Sequence, residues 1–134
     1  MKNTKSISFI LFLSLIVILV ISCKKSTMNN DLTVTINSPV EGRTYTGSVE
    51  MSFSINAPNG IDSCYIALTD ASGSTAYYSN NFLFGTTVKN KTSFTYADTQ
   101  TALPSTLTSA KFIISVVDLK MKRFSKTINL SVIQ

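Results

Sequence analysis

An all-β fold, a two-layer antiparallel sandwich of about seven short strands, is predicted by three features of the chain. Apolar residues alternate with polar ones at period two from Leu32 onward, the signature of half-buried strands. Clusters of Gly, Pro, Asn, Asp and Ser separate the alternating runs, as turns require. No stretch beyond Leu32 shows the spacing of an amphipathic helix.

Leu32, Val34 and Ile36 alternate with Thr33, Thr35 and Asn37, which predicts the first strand. The segment SPVEGRTYTGS, with Pro39, Gly42 and Gly47, is expected to be a turn-rich break. Val49, Met51, Phe53 and Ile55 predict the next strand, closed by NAPNG. Cys64, Ile66 and Leu68 predict the one after it, ended by DASGS. The region TAYYSNNFLFGTTV is compatible with one bent strand or two short ones, and Phe94 and Tyr96 mark another strand before a loop through Pro104. Ala110, Phe112, Ile114 and Val116 alternate, DLKMKR turns, and Ile128, Leu130 and Val132 complete the pattern. Turns of unequal length, with no two-residue Asn-Gly hairpin loop, favour Greek-key crossings over a meander.

Residues 1–22 are of another kind. Lys2 and Lys5 precede Ile7–Ile21, a run of 15 residues interrupted only by Ser8 and Ser14. That is short of the roughly 20 apolar residues a membrane-spanning helix needs and suits the hydrophobic core of a secretory leader. The run stops at VISCKK, with Cys23 directly behind it. Lys24–Asp31, KKSTMNND, is polar and aperiodic and reads as a tether. The expected organisation is a leader over 1–22, a tether over 23–31 and a sandwich over 32–134. Loss of Lys2 and Lys5 with the leader leaves ten basic against seven acidic residues, so the overall +5 becomes +3.

Val20-Ile21-Ser22-Cys23 resembles the lipobox of bacterial lipoproteins. The resemblance implies cleavage before Cys23, a diacylglyceryl group on its sulfur and anchoring in the outer membrane. A cysteine followed by lysines is similar to lipoproteins of the Bacteroidota type, although the acidic cluster that marks surface export there is missing and Asp31 is the first acid. SPVEGRTYTGSVEMSFSINAPNGIDSCYIALTDASG and LPSTLTSAKFIISVVDLKMKR resemble the two halves of bacterial immunoglobulin-like domains of the fibronectin-III or PKD-like kind. The fold this implies is an immunoglobulin-like antiparallel β-sandwich. One departure stands out: the Gly-Asn usual after the Val-x-Asp corner is replaced by Lys122-Arg123.

Several function classes are disfavoured. Basic residues are too few and too scattered for a nucleic-acid footprint. With no histidine, imidazole-based triads and most zinc sites are lost. No glycine-rich phosphate loop or carboxylate pair stands out, and no cofactor or catalytic residue is assigned. With Cys23 acylated, Cys64 is left alone and reads as a small buried apolar residue.

What remains is a non-catalytic binding module of the cell envelope. Parity turns Tyr65, Ile113 and Val117, with Ile133, to an outer sheet face, a candidate strip for a protein partner. Tyr77 and Tyr78, followed by Phe82 and Phe84 and with Asn80 and Asn81 available for hydrogen bonds, are the alternative: a stacking platform for a sugar ring, which would make the chain a carbohydrate-binding accessory. Asp31, Asn56, Asn59, Asp62 and Asp118 are expected at one end and are considered as calcium ligands, against the reading that turns need Asn and Asp without a metal. Lys120, Lys122 and Arg123 share that end, and with Lys24 and Lys25 they would face anionic headgroups, against the reading of a solvated turn.

Overall fold

A computed structural model describes residues 31–81 and 88–133. These form strands β1 (Thr33–Ser38), β2 (Thr44–Thr46), β3 (Val49–Asn56), β4 (Ile61–Asp70), β5 (Ala76–Asn81), β6 (Ser93–Gln100), β7 (Ser109–Asp118) and β8 (Arg123–Ile133). No helix occurs among them. One sheet has the order β1-β3-β6 and the other β2-β8-β7-β4-β5.

Alternation dictates the packing. Val49, Met51, Phe53 and Ile55 of β3 are buried while the residues between them are not. Cys64, Ile66 and Leu68 of β4, Phe112, Ile114 and Val116 of β7, and Ile128, Leu130 and Val132 of β8 face them from the second sheet. Each such side chain fully removed from water contributes about 1.5–3 kcal/mol before entropy is counted, so this double layer is what holds the two sheets together. Phe53 stacks on Tyr96 at 5.3 Å between ring centres and lies 6.3 Å from Phe94.

The expected break after β1 contains a strand the periodicity did not reveal. The chain leaves the three-stranded sheet at the Ser38–Pro39 peptide, which is cis, and β2 joins the other sheet parallel to β8. Tyr45 is buried there, and its hydroxyl accepts the Val40 amide at 2.8 Å. Glu41 accepts both the backbone and side-chain amides of Asn129, at 3.2 and 3.1 Å, pinning the crossing to β8. The described residues therefore form eight strands, one more than the alternation indicated.

Candidate functional site

The outer face of the five-stranded sheet brings three of the expected partner residues together. Tyr65 lies directly opposite Ser115, and Ile113 and Val117 flank Ser115 two residues to either side on the same strand. Side chains two apart on a strand share a face, and a diagonal cross-strand pair is about 7–8 Å apart, within reach of an aromatic ring. Tyr65 is 37% exposed, whereas Ile113 and Val117 are half-buried. Thr127 and Arg123 of β8 stand opposite Ile113 and Val117. Ile133 is not part of this group. It pairs with Thr46 at the far end of β8, six residues beyond Thr127, so the expected strip is shorter than parity alone suggested. On the same outer parity Ala67 and Thr69 are buried, which no alternation rule anticipates.

Tyr77 and Tyr78 follow one another in β5, and Phe82 and Phe84, expected beside them, lie outside the described residues. Both tyrosines are half-buried and packed against the core. Tyr78 lies opposite Leu68, on the inner side of β5, and the register slips between Leu68 and Thr69. Its hydroxyl hydrogen-bonds that of Tyr96 in the other sheet. Tyr96 donates onward to Asp98 Oδ2 at 3.0 Å, and Asn80 Nδ2 donates to Tyr78 at 3.3 Å. Burial and these hydroxyl and carboxylate partners push the Tyr96 phenol above its usual range.

One end of the sandwich gathers three turns. The β3–β4 loop, Ala57–Gly60, closes with the Gly60 amide donating to Ala57 at 2.7 Å. The Val88–Lys91 turn docks on it: the Asn90 amide donates to the Ile61 carbonyl and the Ile61 amide to that of Lys91, each at 2.8 Å. In the β7–β8 turn the Leu119 amide donates to the Gly60 carbonyl at 3.0 Å. The Asp118 amide donates to the Lys122 carbonyl at 3.0 Å and encloses residues 119–121, of which Met121 has φ +63°, the left-handed position where such hairpins usually place Gly.

Asp118 is fully buried at the base of that turn. Its Oδ1 accepts the amides of Lys120 and Lys122 at 2.9 and 2.8 Å, and its Oδ2 accepts Asn59 Nδ2 at 3.1 Å. Desolvation alone would raise this carboxyl; the donors from Asn59, Lys122 and Lys120, with the Lys122 charge, outweigh it and hold it below the usual carboxylate range. Asp31 pairs with Lys122 Nζ at 2.5 Å. The residues considered for calcium do share one end, but Asp118 is filled by N–H donors and Asp31 by an ammonium. Among the described residues no group of three or more acidic, Cys or His side chains is placed to hold a metal.

Cys64 is buried and unpaired with any other cysteine, and desolvation pushes its thiol up to about 12. It is a core residue. Cys23, Lys24 and Lys25 lie outside the described residues. Leu119 and Met121, 46% and 64% exposed, escaped the sequence reading; the signal was their alternation with Lys120 and Lys122 inside a turn.

No protein-family model matches the chain, and no curated protein matches it. Solved structures do. An endo-β-1,4-mannanase from Thermotoga petrophila superposes with a TM-score of 0.52 at 11% identity, over 82% of this chain and 21% of the mannanase. This chain thus spans about a fifth of that protein. Fibronectin(III)-like modules of CbhA from Clostridium thermocellum give 0.46 at 16% identity, over 75% of this chain and 94% of theirs. A CARDB domain from Pyrococcus furiosus gives 0.45 at 17% identity, over 77% and 88%. At such identities likeness speaks to architecture alone, and the described chain is an immunoglobulin-like β-sandwich.

Proposed function

We propose that this protein is a lipid-anchored, non-catalytic interaction domain of the cell envelope, held at the outer membrane through acyl chains on Cys23 and engaging an envelope protein through the sheet face around Tyr65, Ile113 and Val117. The observation that carries the partner reading is the register: an exposed tyrosine stands diagonally between two aliphatic side chains on an otherwise hydroxyl-rich face. A rigid aromatic beside aliphatic neighbours is the kind of anchor that dominates protein interfaces. The anchor reading is supported by VISC at the end of the hydrophobic run. Two or more acyl chains, at about 0.8 kcal/mol per buried CH₂, hold a domain on a bilayer far more firmly than one.

Two measurements test the two halves separately. Intact mass of the mature protein is expected to show a processed N-terminus with fatty-acyl mass that Cys23→Ser abolishes. A photo-crosslinking residue at Tyr65, in cells, is expected to give one discrete adduct that disappears when Ile113 and Val117 are both changed to Lys. A crosslinker at Asn129, on the same outer face but toward the other end, is expected to give none. Equal adduct patterns from both positions would sink the partner reading and leave the anchor standing.

A further inference from the structure

We infer that the β7–β8 turn, with the Val88–Lys91 turn beside it, is a docking tip for an anionic lipid surface, a contact additional to any acyl anchor. Leu119 and Met121 are exposed neighbours at the apex, and Lys120, Lys122 and Arg123 alternate with or follow them. The second turn is in contact: a methyl built on Gly60 would lie 2.8 Å from Leu119 Cδ1 and 3.5 Å from Asn90 Cα. Lys89 and Lys91 therefore flank the same apex. Apolar side chains ringed by cations are what an interfacial contact needs, the former entering the acyl boundary and the latter meeting headgroup phosphates.

Charge is distributed along the long axis in the matching sense. The tip carries these five basic residues against Asp31, Asp62 and Asp118, of which Asp118 is buried and Asp31 is paired with Lys122. Toward the opposite end lie Glu41, Glu50, Asp70 and Asp98 with Arg43 and Lys111, while Lys126 stands midway, opposite Ile114. A negative surface thus attracts one end and repels the other. Position agrees as well, because the chain enters β1 beside the tip, where Asp31 meets Lys122. Seven residues lie between Cys23 and the start of the described fold at Asp31, a span of eight residue steps that reaches at most about 26–29 Å. For the approach to the bilayer this inference rests on the tethered reading above. If that tether is acylated, this end and not the opposite one faces the membrane.

The chain contains no tryptophan, so Met121→Trp places a single reporter at the apex. Full-length lipidated protein carrying it is reconstituted into phosphatidylcholine vesicles and into vesicles containing phosphatidylglycerol. In the anionic vesicles the indole emission is expected to move to shorter wavelength and to be quenched by brominated acyl chains. At 1 M salt, where screening acts within about 3 Å, the shift is expected to vanish. Removing Lys120 and Arg123 together as Gln is expected to lower the docked-to-undocked ratio by roughly 25-fold, at roughly fivefold for each basic group, while the protein stays on the vesicles. Met121→Gly suits the left-handed backbone, so in the Leu119→Trp background it is expected to keep the fold and weaken the contact.

Vesicle-bound Met121→Trp protein whose indole emits as in water in both lipid mixtures overturns the inference and spares the anchor. Protein without acyl mass that still buries the indole in anionic vesicles supports the tip and removes the anchor. Protein without acyl mass that ignores both vesicle types removes both. Shielding of the indole only by an added envelope protein assigns the tip to a protein contact and overturns the lipid reading.

Discussion

Asn59 and Asp118, 59 residues apart in sequence, are joined by a 3.1 Å hydrogen bond that ties the β3–β4 loop to the β7–β8 turn. The same carboxylate organises the turn itself through the Lys120 and Lys122 amides. One side chain therefore sets both the shape of the apex and its seat on the sandwich.

Replacing Asp118 tests this. Asp118→Asn keeps an acceptor for the two amides but sets a second NH₂ against Asn59, and Asp118→Ala leaves all three donors without their partner. Melting temperatures are expected to fall in the order Asp, Asn, Ala, by several degrees at the last step. The pH dependence has a fixed sign. A carboxyl held below its unfolded value near 3.9 stabilises the fold above that pH, and the contribution is lost as pH falls through the lower folded value. Circular dichroism melts across the acid range are expected to show a smaller acid loss in Asp118→Asn than in the parent. Asp70, also held low by Ser72, Thr75, Ser74 and Gly73 despite desolvation, supplies acid sensitivity that both proteins share.

The glycine beside that bond makes a second prediction. Gly60 has φ +88°, and a Cβ there would meet Leu119 Cδ1 at 2.8 Å. Gly42 and Gly47 also have positive φ, but a Cβ on either meets nothing within 4 Å. All three Ala variants bear the left-handed penalty of about 1–2 kcal/mol. Only Gly60→Ala must also push Leu119 aside, so it is expected to be the least stable of the three in urea titration and the only one to alter the apex. Equal losses at Gly60 and Gly42 would show that the Leu119 contact is dispensable.

How far the chain could be read before folding depended on whether burial followed alternation. Val49 to Ile55 and Phe112 to Val116 announced their faces because each sits between strands and buries one side. Tyr45 did not, since a three-residue parallel strand is too short to show a period. Ile133 shares the parity of Ile113 but not its location, because parity reports a face and not a position along it. Tyr78 looked like a surface aromatic until the register turned it toward Tyr96. Topology gathered the acidic and amide residues of the loops at one end; Asp118 is met there by the Lys120 and Lys122 backbone amides and the Asn59 side chain, and Asp31 by the Lys122 ammonium, pairings that sequence does not display.

Core packing yields a third prediction. Phe53 is fully buried and sits against both Phe94 and Tyr96. Phe53→Ala removes the ring and leaves a cavity, at a cost of about 3–5 kcal/mol. Cys64→Ala removes one sulfur from a site with no polar partner and is expected to cost about 1–2 kcal/mol at most. The buried neutral thiol is also expected to resist maleimide at pH 8 in the native protein and to react fully in denaturant, with mass spectrometry as the readout. Labelling of Cys64 under native conditions would contradict its burial.

The hydroxyl chain between the sheets supports the last prediction. Because Tyr96 donates to Asp98, Tyr78 must donate to Tyr96, which fixes the direction of the chain from Asn80 to the carboxylate. Ionising Tyr96 would put a phenolate beside Asp98 and remove the proton that bond requires. Burial, the Tyr78 hydroxyl and Asp98 all act in this direction and raise the phenol. A group raised in the folded state binds its proton more tightly there than in the unfolded chain. Its contribution is therefore fully present below the unfolded value near 10 and is lost as pH rises toward the folded one. Ultraviolet titration is expected to show Tyr96 ionising only as the protein unfolds. Asp98→Asn removes both the negative charge and the anionic acceptor, so its alkaline loss of stability is expected to be shallower than the parent's. Tyr78→Phe breaks the sheet-to-sheet link while leaving the Tyr96–Asp98 bond, so it is expected to lower the melting temperature at neutral pH and to retain part of the alkaline sensitivity. Identical alkaline profiles for all three proteins would mean that the chain seen between the sheets has no energetic weight.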